Sequence, residues 1–418
     1  MLLITISITV GFLLMYDWNF YESIEEVHPI ADADNLYKAF EKVRKGSGWK
    51  LEVQRFRWNL ADEVLKLQKE LESFRLTGKG YELQEYSRFT VSERGHQRPI
   101  TALRVRDRVV KHCLNDLYLL PHIRPKLIYD NAASLKGRGV NFTRRRIIAH
   151  LKSFYREHGT NDGYIRLSDF SGFYDNIDHE LAYEAICKYE HDEFALRLVK
   201  QAFDSFDIDV SFLDDEQFEI AKNSKFNVLK YRLNGFSSER RGEKILKKSL
   251  SVGDQTSQIT AICFPTALDK MMTIVCGQKY YSRYMDDTYL IYRDLNRLKL
   301  IGEIFDNTAQ RLKLFVNPRK TKICKISKPF TFLQFRYYLK ANGHVVVRIG
   351  KATVTRMRRK LKKLIHVTTL KRVEEVFKSW ICAYRNVMSK KQITNMIKLY
   401  RDLYGGGLDT WMSVKRLL

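Results

Sequence analysis

Asp286 and Asp287 stand side by side in Tyr284-Met285-Asp286-Asp287, between two runs of aromatic and aliphatic residues, so the pattern places two carboxylates at the bend of a hairpin. Adjacent carboxylates repel one another. A fold keeps such a pair where solvent or a cation neutralises it. Hard oxygen donors of this kind suit Mg²⁺, which takes one or two protein carboxylates and completes its shell with water and phosphate. An Asp-Asp turn is also ordinary turn chemistry, so a second acidic segment has to decide. That segment is the strand-like run Ile165-Arg166-Leu167-Ser168-Asp169, followed by Phe170, Phe173, Tyr174 and Asp175. Two-metal phosphoryl transfer draws its carboxylates from separate stretches of chain, so that one ion activates a hydroxyl and the other steadies the leaving oxygen. Asp169, Asp286 and Asp287 meet that requirement. Asp175 and Asp178, in the run DNIDH, are expected to serve a helix start instead.

The elements that must position these residues follow from periodicity. Helical spacing in NLYKAFEKVRK and LADEVLKLQKELESF predicts a pair of amphipathic helices between residues 34 and 75. YSRFTVSERGHQRPITAL reads as two extended runs about a turn at Arg94, Gly95 and His96. VRDRVVKHCLNDLYLL and RRRIIAHLKSFYREHG read as helices separated by the basic loop SLKGRG, and GYIRLSDF as a short strand. A helical stretch from His179 to about Phe206 comes next. Residues 207–250 change from acidic (DIDVSFLDDEQFE) to basic (KYRLNGFSSERRGEKILKK) and read as an insertion. Beyond it come an apolar helix in QITAICFPTALDKMM, the YMDD hairpin, a helix over 295–312, and a strand pair, FTFLQFRYYL with HVVVRI. From Lys351 the chain is strongly basic and helical in period, and reads as a separate bundle.

With 73 Lys and Arg against 48 Asp and Glu, the 418-residue chain carries a formal charge of +25. Such a surplus favours a polyanion through phosphate contacts and counterion release, which sets nucleic acid first among partners. A solvated basic surface is the plainer alternative. Cys113, Cys187, Cys263, Cys276, Cys324 and Cys382 stand far apart, with no Cys-x-x-Cys pair and no His at zinc spacing, and read as reduced thiols in a cytoplasmic protein. The apolar start MLLITISITVGFLLM is shorter than a spanning helix and has no preceding Lys or Arg. A strand or helix packed on the body, or a start codon placed too far upstream, is expected, with no stable membrane association; membrane attachment is the minority alternative.

In order along the chain, DFSGFYDNIDH, VGDQTSQ, YMDD, NPRKTKI and FTFLQFRYYL resemble the successive palm motifs of bacterial reverse transcriptases. The relevant types are phage-defence and diversity-generating retroelement enzymes, related to those of group II introns and retrons. The resemblance spans residues 34–400 and implies an α+β right-hand polymerase with fingers, an antiparallel-sheet palm and a helical thumb. It divides the chain into an apolar extension (1–33), fingers (34–160), palm (161–206 and 251–345) around the 207–250 insertion, and thumb (346–418).

The same resemblance implies that Asp169, Asp286 and Asp287 ligate two Mg²⁺ ions, with Mn²⁺ as a substitute and the backbone carbonyl of Phe170 as a further ligand. Phe173 and Tyr174 would line the nucleotide site, with Tyr174 excluding a 2′-hydroxyl, although a core aromatic is the ordinary alternative. Arg98, with Arg94 as second choice, would grip the triphosphate through a planar donor fork. Lys320 would approach the leaving pyrophosphate, where a cation or proton donor offsets developing charge, or equally bind backbone phosphate. Val252 and Gly253 would face the nascent pair, and Ser257, Gln258, Tyr284 and Met285 the template and primer. The basic C-terminal helices would track the duplex, a basic bundle contacting another protein being the plainer alternative, with Trp380 and Tyr384 packing the bundle.

Many retroviral and intron-encoded relatives carry Gln-Gly at the start of the second palm motif and Ser-Pro at its end, where this chain has Val252-Gly253 and Ser257-Gln258. That departure resembles the diversity-generating and some phage-defence enzymes. An apolar Val252 removes a polar check on the nucleotide, so lowered fidelity is expected. The chain ends soon after the thumb pattern, and neither a His-Asn-His endonuclease nor a ribonuclease H domain is expected. The expected activity is RNA-directed DNA synthesis from deoxynucleoside triphosphates, in antiphage defence with a dedicated structured non-coding RNA. Diversification of a target gene is the close alternative. A catalytically inactive, nucleic-acid-binding polymerase fold is the alternative of another class.

Overall fold

The computed structural model describes residues 26–93, 96–226 and 242–405. Capping chemistry sets many of its element boundaries. Helix α1 (Ala33–Arg44) begins where the Asp32 side chain accepts the Asn35 amide at 2.9 Å, and it buries Leu36, Ala39, Phe40 and Val43 at helical spacing. Next come α2 (Leu51–Trp58) and α3 (Leu60–Thr77), the latter ended by Gly78 at φ 74°. Three helices stand where two were expected: α1 and α3 cover the two predicted runs, and α2 fills the stretch between them.

Strands β1 (Ser87–Glu93) and β2 (His96–Ala102) lead to α4 (Val105–Leu114), which runs through a π-helical stretch into α5 (Leu120–Ile123). Then follow α6 (Val140–His158), β3 (Tyr164–Asp169), α7 (His179–Cys187) and α8 (Glu193–Asp204). The single helix expected from His179 is two, since Asp192 accepts the Ala195 amide at 2.7 Å and starts α8 afresh. Strand β4 (Ile208–Asp209), α9 (Asp215–Asn223) and β5 (Ile245–Leu246) precede α10 (Gln255–Cys263) and α11 (Thr266–Lys270). The rest of the described chain is β6 (Tyr281–Tyr284), β7 (Asp287–Tyr292), α12 (Leu295–Arg311), β8 (Lys322–Lys325), β9 (Phe330–Phe332), β10 (Phe335–Leu339), β11 (Val345–Ile349), α13 (Lys351–Leu364), α14 (Leu370–Tyr384) and α15 (Lys390–Tyr404).

These elements form two compact units, the first drawn from Met1–Leu127, Gly172–Ala267 and Leu312–Phe315. Within it α1 packs on α3 and α4, and β1 pairs with β2 from Ser87↔Ala102 to Glu93↔His96. The expected turn residues Arg94 and Gly95 lie outside the described residues, as do residues 1–25 of the apolar extension and 227–241 of the expected insertion. What is described of 207–250 has its own small apolar cluster of Ile208, Val210, Leu213, Ala221, Phe226 and Leu246. Lys248, 2% exposed, donates to the carbonyls of Lys222 at 3.1 Å and Ser224 at 2.9 Å at the end of α9.

The second unit, drawn from Ile128–Ser171, Leu268–Arg311 and Val316–Leu418, holds a four-stranded sheet in the order β6-β7-β3-β8 and a three-stranded sheet in the order β11-β10-β9. Every pairing in both sheets is antiparallel. FTFLQFRYYL forms two strands because Leu333 and Gln334 turn the chain at φ 44° and 74°. A single core joins Leu151 and Phe154 of α6, Ile165 and Tyr289 of the larger sheet, Phe335 and Tyr337 of the smaller, and Phe377, Met396 and Tyr400 of the C-terminal helices. The basic helices α13–α15 thus share the core of the sheets. Trp380 stacks near Phe377 with centroids 6.4 Å apart, and the Tyr384 hydroxyl bonds Gln334 Oε1 at 3.0 Å, so both pack as expected. No helix among the described residues is long and apolar enough to cross a membrane.

Candidate active site

The register of the four-stranded sheet brings the acidic segments together. Asp169, the last residue of β3, lies directly opposite Asp287, the first of β7. Directly opposed residues in an antiparallel pair share a face and hold their Cβ atoms about 5 Å apart. Tyr284 pairs with Asp287 to close the β6–β7 hairpin, leaving Met285 and Asp286 as its two-residue turn. Met285 has φ 54°, a left-handed conformation that costs a residue with a Cβ roughly 1–2 kcal/mol.

Around these carboxylates the electrostatics favour a cation. Asp169 is 9% exposed, and the Lys320 ammonium lies 3.1 Å from its Oδ1 and 3.0 Å from its Oδ2. The Asn317 amide donates to the Asp169 carbonyl at 2.7 Å, and the Asn317 carbonyl accepts from Thr321 at 2.9 Å, which ties the Lys320 turn to the end of β3. Burial pushes Asp287 up to about 7, helped by the charges of Asp286 and Asp169 and partly offset by Lys320. Tyr284 is raised too, by burial and then by Asp287 and Asp286. Among the described residues no group of three or more His, Cys, Asp or Glu side chains is gathered as a ready-made metal cage. An open carboxylate set nevertheless suits Mg²⁺, which relies on substrate phosphates and water for its remaining ligands. The burial and the neighbouring carboxylates that raise Asp287, and the ammonium already drawn to Asp169, mark a place where added positive charge is favourable. Phe170 follows Asp169 in an isolated bridge to Val316, with its ring stacked on Phe305 at 5.9 Å.

The other sequence-predicted residues belong to the first unit. Phe173 is buried, and half-buried Tyr174 meets its ring edge-on with centroids 5.7 Å apart. The Tyr174 carbonyl accepts from the Leu250 amide at 2.9 Å and that of Ile177 from Ser249 at 3.0 Å, so this loop lies against the segment leading to Val252 and Gly253. Gly253 has φ 118°, and a Cβ there would meet Ile100 at 3.9 Å. Ser251 Oγ donates to the Thr101 carbonyl at 3.2 Å. The β2 strand, which carries Arg98 opposite Val91, is thereby brought beside the Val252-Gly253 turn. Val252 and Gln258 are half-exposed, whereas Ser257 is fully buried and its hydroxyl bonds Asp254 at 3.1 Å. Asp178 caps α7 by accepting the Leu181 amide at 3.1 Å, and Asp175 lies in the short 3₁₀ turn before it.

Three supporting residues escaped the sequence reading. Asn176, fully buried, bonds Gly172 and both backbone groups of Phe226. Asp254 caps α10 behind Gly253. Asn317 braces Asp169. Each stands inside a motif already singled out, and an Asn or Asp at a loop-to-helix or turn position was the available signal.

Residues 90–337 match the family described as reverse transcriptase (RNA-dependent DNA polymerase). No curated protein matches the chain. Among solved structures it is similar to a telomerase from Candida albicans in complex with a TWJ fragment of telomeric RNA, at 12% identity and TM-score 0.42, over 81% of this chain and 61% of that one. It is also similar to an apo telomerase from Candida tropicalis truncated from its C-terminal domain, at 14% identity and TM-score 0.42, over 63% of this chain and 55% of that one. The chain thus spans less than two thirds of the length of either structure.

Proposed function

This chain belongs to the reverse transcriptase family and has the α+β right-hand polymerase fold, and we propose that it synthesises DNA on an RNA template at the carboxylate end of β3 and β7. The observation that carries the reading is the register of Asp169 against Asp287, with Asp286 in the adjoining turn. Asp169, Asp286 and Asp287 would hold two Mg²⁺ ions, with the Phe170 carbonyl as a further ligand. Bound Mg²⁺ would supply the Lewis acidity that activates a primer 3′-hydroxyl and screens the leaving pyrophosphate.

The residues of the chain do the rest. Asn317 holds the backbone of Asp169 in place. Lys320, whose side chain is 64% exposed, can leave Asp169 and hold a proton and positive charge at the pyrophosphate. Arg98, or Arg94, would grip the triphosphate, with Phe173 and Tyr174 against the sugar and Val252 and Gly253 under the nascent pair. Gln258, Tyr284 and Met285 would meet template or primer; Ser257 would act only through its hold on Asp254.

Primer extension by the wild-type chain and by the Asp286→Ala/Asp287→Ala double variant, on RNA and DNA templates, tests this. The variant should lose more than about 1000-fold in rate, beyond the cost of deleting a single electrostatic donor. Equal extension by the two proteins would overturn the reading, and no extension by either would favour an inactive nucleic-acid-binding fold. The setting we propose is the bacterial cytoplasm, in antiphage defence with a dedicated structured RNA. The Val252-Gly253 and Ser257-Gln258 pattern equally supports diversification. An adjacent structured-RNA gene would support defence, and a variable-protein gene with a template repeat would support diversification.

A further inference from the structure

We propose that Arg283, locked to Asp269, is the positioning residue that sets the Met285-Asp286 turn and so the ability of Asp286 and Asp287 to hold a divalent cation. The inference rests on the nucleotidyl-transfer reading above and extends it to residues that touch no substrate. Arg283 and Asp269 are both 0% exposed. Arg283 Nε donates to Asp269 Oδ1 at 2.9 Å, Nη2 donates to Oδ2 at 2.7 Å, and the Tyr281 hydroxyl adds a bond to Oδ1 at 2.7 Å. The remaining nitrogen, Nη1, donates to the Met285 carbonyl at 3.3 Å. The Arg283 backbone is fixed as well, its amide donating to the Asp130 carbonyl at 3.2 Å and its carbonyl accepting from Ala132 at 3.0 Å.

Stability alone does not account for this arrangement. Desolvating two ions costs about as much as their pairing returns, and apolar residues of similar volume commonly serve as well. What an apolar pair cannot do is hold a carbonyl at a set angle. The guanidinium is a planar fork, so clamping two nitrogens on Asp269 fixes where the third must point. It points at the carbonyl of the one turn residue held at φ 54°, immediately before Asp286. Tyr281 and Arg283 alternate along β6 with Ser282 and Tyr284, so the clamp takes one face of the strand and leaves the other to Tyr284 and its partner Asp287.

Mn²⁺ binding to the full chain, followed by electron paramagnetic resonance without nucleotide, reads the proposal directly. Arg283→Lys keeps the charge but loses the fork, and Mn²⁺ affinity should fall about 10- to 100-fold, the usual effect of removing a residue that orients metal ligands. In primer extension the same variant should lose kcat while the KM for deoxynucleotide stays within about twofold. Unchanged Mn²⁺ binding in a folded Arg283→Lys protein overturns the proposal whatever the activity. If that variant does not fold, Tyr281→Phe, which removes one bond to Asp269, carries the test with a smaller expected loss and the same overturning result. Equal Mn²⁺ binding by wild type and the Asp286→Ala/Asp287→Ala variant would instead sink the metal-site reading on which the proposal stands.

Discussion

Two hairpins carry residues proposed for the reaction, and they are built on opposite plans. In β6–β7, Tyr281, Ser282, Arg283, Thr288, Tyr289 and Leu290 are all buried, and the turn is braced from beneath by Arg283. In β1–β2, Phe89 is 51% and Val91 41% exposed, and the strands are joined by an uninterrupted seven-pair backbone ladder. Carboxylates that hold ions must keep their geometry to about 0.5 Å, which needs side chains locked by packing. A strand that reaches for a nucleotide can sit at the low-stability end of the structure, where few buried contacts oppose local opening. The contrast teaches that, of these two hairpins, burial and side-chain bracing gather beneath the turn proposed to hold the metal.

The largest effect should come from breaking the braced hairpin. Asp269→Ala leaves the Arg283 guanidinium buried without its carboxylate, which should cost about 3–5 kcal/mol in unfolding free energy measured by denaturant titration. A cost below about 1 kcal/mol, the range of exposed ion pairs, would show that the brace is not holding the turn.

That brace was invisible in the sequence, for a physical reason. Asp269 lies within the apolar run QITAICFPTALDKMM and reads as a helix-surface charge, and only the fold carries it to Arg283. The YMDD hairpin and the strand ending at Asp169 were legible because alternation and a flanking acidic turn are local properties. Their opposition, Asp169 against Asp287, was not, since register depends on which strands pair. Similarly, the turn at Leu333-Gln334 uses left-handed backbone conformations that its residue types do not advertise. The resemblance to reverse transcriptases supplied the missing long-range order, because it concerns the sequence of motifs along the chain.

A middle-sized effect is expected at Tyr174, which is half-buried against Phe173 in the first unit. Tyr174→Ala removes the ring proposed to exclude a 2′-hydroxyl, so incorporation of ribonucleotides relative to deoxynucleotides should rise about 10- to 200-fold in single-nucleotide extension. An unchanged ratio would assign Tyr174 to packing.

The smallest effect should come from the exposed hairpin itself. Phe89→Ser and Val91→Thr remove apolar surface that already faces solvent, so each should shift unfolding free energy by less than about 0.5 kcal/mol. A null result here is informative only beside the large loss at Asp269, since the two together locate stability under one hairpin and not the other. If either substitution on β1 instead costs more than about 1 kcal/mol, a magnitude that surface positions away from caps and cores seldom reach, then Phe89 or Val91 has a packing partner in solution. The two hairpins would then differ in what they bury against, and not in whether they are braced.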